Sequence, residues 1–179
     1  MNWTSAKRTI RHAALAAALF PAFVAHAQAP KPSTAPAPTV QQFGGWQLGC
    51  QAPQAGAAEA CEMRQLARND QKKPLAGIFF FKHAGGLAMR VHVPMGVLLR
   101  KNPVLQIDNG ASTDGLSYLR CARNVCIARM KVAEAFLAAM RKGKEATLTF
   151  YATESKPITV KFALNGFAEA ETALRNKAR

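Results

Sequence analysis

Four cysteines are the residues of this chain whose number and spacing bear most directly on chemistry. They form two close pairs, Cys50 with Cys61 and Cys121 with Cys126, and an even set of this kind predicts two disulfides in a domain that reaches an oxidising compartment. Three connectivities are possible. We favour Cys50–Cys61 and Cys121–Cys126, because each pair flanks a loop between neighbouring predicted strands. Redox chemistry is the alternative, but Cys121-x4-Cys126 lacks the two-residue spacing of thiol–disulfide oxidoreductases, so the pattern favours structural disulfides.

Histidines, serines and carboxylates do not converge on a second kind of chemistry. His83 and His92 are the histidines beyond the N-terminal segment, and disulfide formation would consume the thiolates that a zinc site needs. Ser112, Ser117 and Ser155 lie in turn-like surroundings without the pattern of a nucleophile elbow. The ten acidic residues are spread singly along the chain. We therefore expect no catalytic residue, metal ligand or cofactor, and a protein that is not an enzyme.

The N-terminal segment has the three parts of a secretory signal peptide. A basic head at Lys7–Arg11 precedes an apolar stretch at Ala13–Val24, and Ala25–Ala27 supplies small residues where a signal peptidase cuts. The apolar stretch is about 12 residues long, which is too short for the ~20 residues of a membrane-spanning helix. We predict a signal peptide over residues 1–27, cleavage before Gln28, and an oxidising compartment for the mature protein.

The mature chain begins with a segment that is poor in bulky apolar residues. Residues 28–40 are rich in Pro and Ala and bury too little surface to offset the entropy lost on ordering. We predict a disordered leader over residues 28–40 and one folded domain over residues 41–179.

The mature protein is strongly basic. Removing three of the 24 Lys and Arg with the signal peptide leaves 21 against ten Asp and Glu, a net charge of +11. Such a surface attracts polyanions, which for an exported protein include anionic lipid head groups, lipopolysaccharide and sulfated glycans. Specific nucleic-acid binding is not expected, since no aromatic stacking motif accompanies the charge. The alternative is that the charge serves solubility alone.

Short apolar runs separated by turn residues predict a mainly β domain. Alternation of apolar and polar residues is clearest at Leu87–Val93, which follows the Gly85-Gly86 turn. The segments with strand patterning are Trp46–Cys50, Cys61–Leu66, Gly77–His83, Leu87–Val93, Val104–Ile107, Val125–Val132, Thr147–Tyr151 and Ile158–Leu164. A β-sandwich of roughly seven to nine strands buries such segments economically. Short helices are predicted at Ala133–Lys142 and Phe167–Arg175, where the second pattern is weaker.

Several motifs in a fixed order resemble the invasion-associated locus B family of exported bacterial proteins. They are Phe43–Trp46 with Cys50, Cys61–Met63, Val93–Leu99, Tyr118–Cys121 with Cys126–Ala128, Arg141–Lys144 and Leu164–Phe167. The resemblance spans about residues 43 to 170. It implies an immunoglobulin-like β-sandwich, two structural disulfides and a periplasmic or outer-surface location. Some members of that family are associated with host-cell invasion, and no catalytic residue or cofactor comes with the family.

The leading functional hypothesis is a non-enzymatic binding module of the cell envelope. Its partner would be an envelope or host protein, or an anionic lipid or glycan surface, and peripheral membrane contact is compatible with the charge. The predicted basic contact group lies beside a loop and the hairpin of the second cysteine pair, and consists of Arg100, Lys101, Arg120 and Arg123. The alternative is a periplasmic accessory or chaperone-like factor that offers a strand edge or the Phe79–Phe81 run to other envelope proteins.

Overall fold

The structure is a computed structural model that describes residues 38–51 and 59–177. The predicted signal peptide and the predicted leader up to residue 37 lie outside the described residues. The first strand begins at Thr39, two residues before the start that was predicted for the domain. It pairs with the next strand through backbone hydrogen bonds, which do not depend on bulky apolar side chains.

Two antiparallel sheets form the scaffold. The larger sheet contains, in spatial order, β1 (Thr39–Phe43), β2 (Trp46–Gln51), β3 (Ala60–Arg68), β4 (Pro74–His83), β5 (Gly86–Pro94), β8 (Val125–Lys131) and β7 (Ser117–Ala122). The smaller sheet contains β10 (Lys156–Ala163), β9 (Glu145–Thr153) and β6 (Val104–Ile107). Two helices accompany the sheets, α1 (Glu134–Lys142) and α2 (Phe167–Asn176). The predicted mainly β sandwich with short helices is confirmed.

The core lies between one face of the larger sheet, the smaller sheet and the two helices. Alternate residues of β2, β4 and β5 point into it, as the period of two in a strand requires. Trp46, Phe80 and Phe167 are fully buried and pack edge to face, with the ring centroids of Trp46 and Phe167 5.1 Å apart. The smaller sheet adds Leu148 and Phe150 to the same cluster. One face of the larger sheet is therefore committed to packing, which leaves its opposite face as a separate surface.

A close backbone approach positions α2 on the sheet. The turn between β1 and β2 lies against the residues just before α2, where the Gly45 N–H donates to the carbonyl of Asn165 over 3.3 Å. Gly166 has φ of 84°, and a Cβ there would lie 2.1 Å from the carbonyl oxygen of Phe43. Only glycine meets both requirements. The Asn165-Gly166 step thus lets α2 begin close enough to place Phe167 against Trp46.

An ion-pair network joins α1 to α2. The carboxylate of Glu171 is 2% exposed and accepts hydrogen bonds from Arg141 at 2.6 and 2.7 Å and from Arg175 at 2.7 Å. The exposed Glu134 pairs with the same two arginines. Hydrogen bonding from Arg141 lowers the pKa of Glu134, and the carboxylates of Glu171 and Glu134 raise the pKa of Arg141. Both helices are thereby held at one end of the core.

Candidate functional site

Both disulfides join residues that lie directly opposite each other on antiparallel strands. Cys50 of β2 pairs with Cys61 of β3, and we call this bond the first disulfide. Cys121 of β7 pairs with Cys126 of β8 in the second disulfide. In each case the Cα atoms are 4.0 Å apart. The structure therefore contains the connectivity favoured from the sequence, and all four cysteines are used.

The first disulfide also lies next to the carboxylate of Glu59. A carboxylate oxygen of this residue and the two sulfur atoms lie within 4.8 Å of one another, which is a spacing that a metal ion could bridge. The sulfur atoms are joined to each other, however, and a zinc site requires thiolates. As long as the first disulfide is intact, this cluster offers a metal one carboxylate.

The side of the larger sheet that faces away from the core carries a row of arginines. We call this side the outer face, and the arginine row is Arg64 of β3, Arg90 of β5 and Arg129 of β8. These residues lie in one cross-strand register, with Phe79 of β4 between Arg64 and Arg90. Neighbouring strands are about 4.8 Å apart, so the row places three guanidinium groups across four adjacent strands.

Aromatic rings lie beneath two members of the arginine row, Arg90 and Arg129, and hold their guanidinium groups in place. The Cζ atom of Arg90 lies 5.1 Å from the ring centroid of Phe79 and 5.4 Å from that of Phe81. Arg129 lies 4.9 Å from the ring of Phe81, so one ring contacts two cations. Phe79 is only 7% exposed although it lies outside the core cluster. The arginines therefore cover the rings and are restrained by them.

One carboxylate lies among these cations. Glu62 forms an ion pair with Arg90 and a longer one, at 4.0 Å, with Arg64. All three side chains are partly exposed, at 28%, 33% and 38% in that order. The Nε atoms of Arg64 and Arg90 have no hydrogen-bond partner within the part of the chain that is described. The arginine row thus accommodates a carboxylate between two of its members.

A second register runs beside the arginine row on the outer face. We call it the trough row, and its members are Val40, Gly49, Glu62, Phe81, Ala88 and Lys131. A Cβ placed on Gly49 would meet no atom within 4 Å, so the surface is open there. Of three hollows of about 530, 400 and 370 Å³, the first and third are lined by members of this row, whereas the second meets the row only at Phe81 and lies at the ends of β3 and β4. The first two share Phe81 as a lining residue, and the second and third share His83.

His92 lies beside the arginine row and is held neutral. Its ring lies 4.3 Å from that of Phe79, and its Nε2 atom is buried without a partner among the described residues. Burial, reinforced by the charge of Arg90, lowers the pKa of His92 from 6.5 to about 4. At neutral pH the positive charge of the outer face therefore comes from arginine and lysine.

The four residues of the predicted contact group lie in two places. Arg100 and Lys101 belong to the loop after β5, where Arg100 pairs with Glu154 at 2.5 Å and Lys101 lies 3.6 Å above the ring of Tyr151. Arg120 and Arg123 belong to the β7–β8 hairpin. Arg120 is in register with Ile127 on the outer face, whereas Arg123 occupies the turn with φ of 56°. The structure engages the first pair in intramolecular contacts and joins Arg120 to the outer face.

Sequence reasoning missed the arginine row. The polar phase of β3, β5 and β8 carries arginine at matching positions, and this alternation was a usable signal. It could not place the arginines side by side, because β5 and β8 are neighbours in the sheet but are separated in sequence by β6 and β7. Within the described stretches no helix combines the length and hydropathy needed to cross a membrane.

Comparison with known proteins places this scaffold in one family. A model of the invasion associated locus B (IalB) protein matches residues 46–175. The crystal structure of invasion associated protein b from Bartonella henselae is similar, with a TM-score of 0.68 and 27% sequence identity over 76% of this chain and 96% of that chain. Comparison with curated proteins gave no match.

Neither the matching family nor the Bartonella henselae protein is named for an enzymatic activity. The disulfides and the family match together indicate an exported protein. The match covers more than half of the chain and confirms the resemblance seen in the sequence motifs. The chain belongs to the invasion associated locus B (IalB) protein family.

Proposed function

We propose that this protein is a non-enzymatic binding module of the cell envelope and that the outer face is its contact surface. The observation that carries the proposal is the arginine row, in which the guanidinium groups of Arg90 and Arg129 lie on phenylalanine rings at the surface of a sheet. Arginine held in this way has already lost much of its rotamer freedom, so less entropy is lost when it binds a partner. A surface of this kind suits recognition better than solubility alone.

The charge of the outer face favours an anionic partner. Arg120 and Lys131 lie on the same face as the arginine row, so at least five cationic side chains of the described residues accompany the carboxylate of Glu62 there. Surface potentials of one sign raise the rate at which oppositely charged partners associate. Arg120 is the member of the predicted contact group that belongs to this surface. The centre of the surface lies on the sheet and not in the loop that contains Arg100 and Lys101.

The setting of this activity is the periplasm or the outer surface of the cell, or the medium after secretion. Two disulfides that lock antiparallel pairs support an oxidising compartment. A role in host-cell invasion is part of the proposal only by analogy with the Bartonella henselae protein, which is named for its association with invasion.

Crosslinking in cells tests the contact surface. A tagged protein would be crosslinked, captured at low and high salt, and its partners identified by mass spectrometry. The face variant combines Arg129→Gln with Lys131→Gln, and the loop variant combines Arg100→Gln with Lys101→Gln as a control of equal charge change. We expect the face variant to lose its partners and the loop variant to keep them, with both variants folded by circular dichroism. Equal retention by both variants would remove the outer face from consideration.

A second candidate function is an accessory or chaperone-like factor that pairs with other envelope proteins through a strand edge. The observation in its favour is β1, an edge strand whose side chains from Thr39 to Gln42 are exposed and uncharged. Such an edge offers free backbone groups for β-strand addition. The Phe79–Phe81 run does not offer one continuous apolar contact, since Phe80 lies in the core. Partners retained at high salt would favour this candidate, because main-chain and apolar contacts are screened little.

A further inference from the structure

We propose that the trough row is the binding site of a linear acidic polysaccharide, whose sugar rings lie along the trough and whose carboxylate or sulfate groups pair with the arginine row. This inference rests on the proposed function, because it names the ligand class of the same outer face.

The shape of the trough fits an elongated ligand. Its hollows extend from Thr39 at one edge of the larger sheet to Leu119 at the other, crossing all seven strands. Six steps between neighbouring strands correspond to about 29 Å. Gly49 leaves room in the trough between Val40 and Glu62, because a Cβ built there would meet no atom within 4 Å. A ligand lying across the strands cannot join the hydrogen-bond ladder of the sheet, so it must be recognised through its own side groups.

The chemistry of the walls fits oxyanions on a ring-shaped backbone. Arg90 and Arg129 approach the trough from one side, and both contact the ring of Phe81. Arginine pairs with planar carboxylate groups through two parallel hydrogen bonds. Glu62 already occupies the position of such a carboxylate next to Arg90 and Arg64. A ligand carboxylate or sulfate at this place would compete with Glu62.

Two other polyanions fit the site less well. Nucleic-acid strands bind through bases stacked on exposed aromatic rings, but Phe79 is 7% exposed and Phe81 contacts two guanidinium groups. Membrane surfaces are bound by aromatic and apolar side chains that project outward into the lipid. Here the rings lie beneath the arginines, so they are not free to insert.

Calorimetric titration of the mature protein at about 150 mM salt tests the proposal. The acidic probes are an oligogalacturonate and a heparin-derived oligosaccharide, which separate carboxylate from sulfate, and a dextran oligosaccharide is the neutral control. Gly49→Leu fills the trough without changing the charge, and Glu62→Gln releases two arginines. Arg129→Gln removes one wall charge, and Arg100→Gln in the loop is its charge-matched control. Thermal unfolding of every variant establishes that it is folded.

We expect at least one acidic oligosaccharide to bind, with affinity about tenfold lower in Gly49→Leu and Arg129→Gln. Glu62→Gln should bind more tightly, and Arg100→Gln should change affinity by less than about twofold. Unchanged binding in Gly49→Leu, or equal losses in Arg129→Gln and Arg100→Gln, would overturn the proposal in favour of diffuse charge attraction.

Two further titrations distinguish the ligand class. If a single-stranded DNA of equal charge, or vesicles containing phosphatidylglycerol, bind more tightly than the oligosaccharides, then the ligand class is nucleic acid or anionic lipid and not a polysaccharide. If crosslinked partners in cells depend on the outer face but neither oligosaccharide binds, the ligand is not an acidic polysaccharide, and the proposal of a binding module is retained. If the face variant also keeps its partners, both proposals fail.

Discussion

Replacing Glu171 by glutamine removes the charge on which the α1–α2 network depends. The carboxylate is 2% exposed and accepts three hydrogen bonds from Arg141 and Arg175. Removing one partner of a buried ion pair destabilises a protein by about 3–5 kcal/mol. Here the two arginines are 32% and 39% exposed and still form ion pairs with Glu134 in the variant. Solvent and Glu134 therefore offset part of the lost stabilisation. We expect the free energy of unfolding to fall by about 2–3 kcal/mol.

Urea unfolding followed by circular dichroism measures this change, since a shift in midpoint at constant slope reports stability alone. For a domain of this length the loss corresponds to a melting temperature lower by about 10 °C. Glu134→Gln is the matched control, because Glu134 binds the same arginines but is 66% exposed. Exposed pairs contribute less than about 1 kcal/mol. Equal losses in the two variants would refute the reasoning that burial makes Glu171 the dominant partner.

Three further predictions concern the disulfides, the buried histidine and the hairpin turn. Replacing the cysteines of the first disulfide by serine should lower the free energy of unfolding by about 3 kcal/mol, and replacing those of the second should lower it by about 2 kcal/mol. The first value is larger because the first disulfide closes the longer loop. Urea titration of each variant shows which of the two losses is larger. Since the folded chain keeps His92 neutral to a pKa of about 4 while the unfolded chain takes up a proton near pH 6.5, stability should fall as pH decreases between these values. The His92→Gln variant should show a smaller difference in unfolding free energy between pH 7.5 and pH 4.5, and an unchanged difference would contradict this assignment. Arg123→Gly should raise stability by up to about 1 kcal/mol, because glycine adopts a positive φ without strain; a lower melting temperature would count against it.

The strands that sequence patterning located are those with one buried face. In β5 the apolar residues from Leu87 to Val93 alternate strictly, and each of them lies in the core. The helices at Ala133–Lys142 and Phe167–Arg175 were predicted within one residue of their observed ends. Both patterns depend on local periodicity, which survives folding because a strand or helix with one apolar side can bury it in only one way.

The strands that patterning missed lie at the two edges of the larger sheet. Four of the five side chains of β1 are exposed, so no apolar alternation marks it. In β7 a register shift between Tyr118 and Arg120 interrupts the alternation that Tyr118 and Cys121 would otherwise show. After β6 the Asp108-Asn109-Gly110 segment forms a turn, in which the Gly110 N–H donates to the carbonyl of Ile107. The returning segment contributes a single bridge between Gln106 and Ser112.

Only part of the candidate site could be predicted from the sequence. The faces of β4 follow from parity, which places Phe79 and Phe81 together and Phe80 opposite them. Which face is buried depends on the smaller sheet and α2, and these contacts are not local. The sequence favoured the loops beside Arg100 and Arg123 because loops commonly carry function. Arginines within strands can be assigned to one common surface only when the order of the strands in the sheet is known.

The disulfides matter to the outer face through register rather than through chemistry. A slip of one residue in an antiparallel pair moves every side chain to the other face. The first disulfide joins Cys50 to Cys61, the pair next to Gly49 and Glu62 in the same ladder. A slip of β3 against β2 would turn Glu62 into the core and close the trough at Gly49. Packing already opposes such a slip, because β2 and β3 bury side chains on their core face. The covalent bond adds a second constraint on this register, at the end of the trough that contains Gly49.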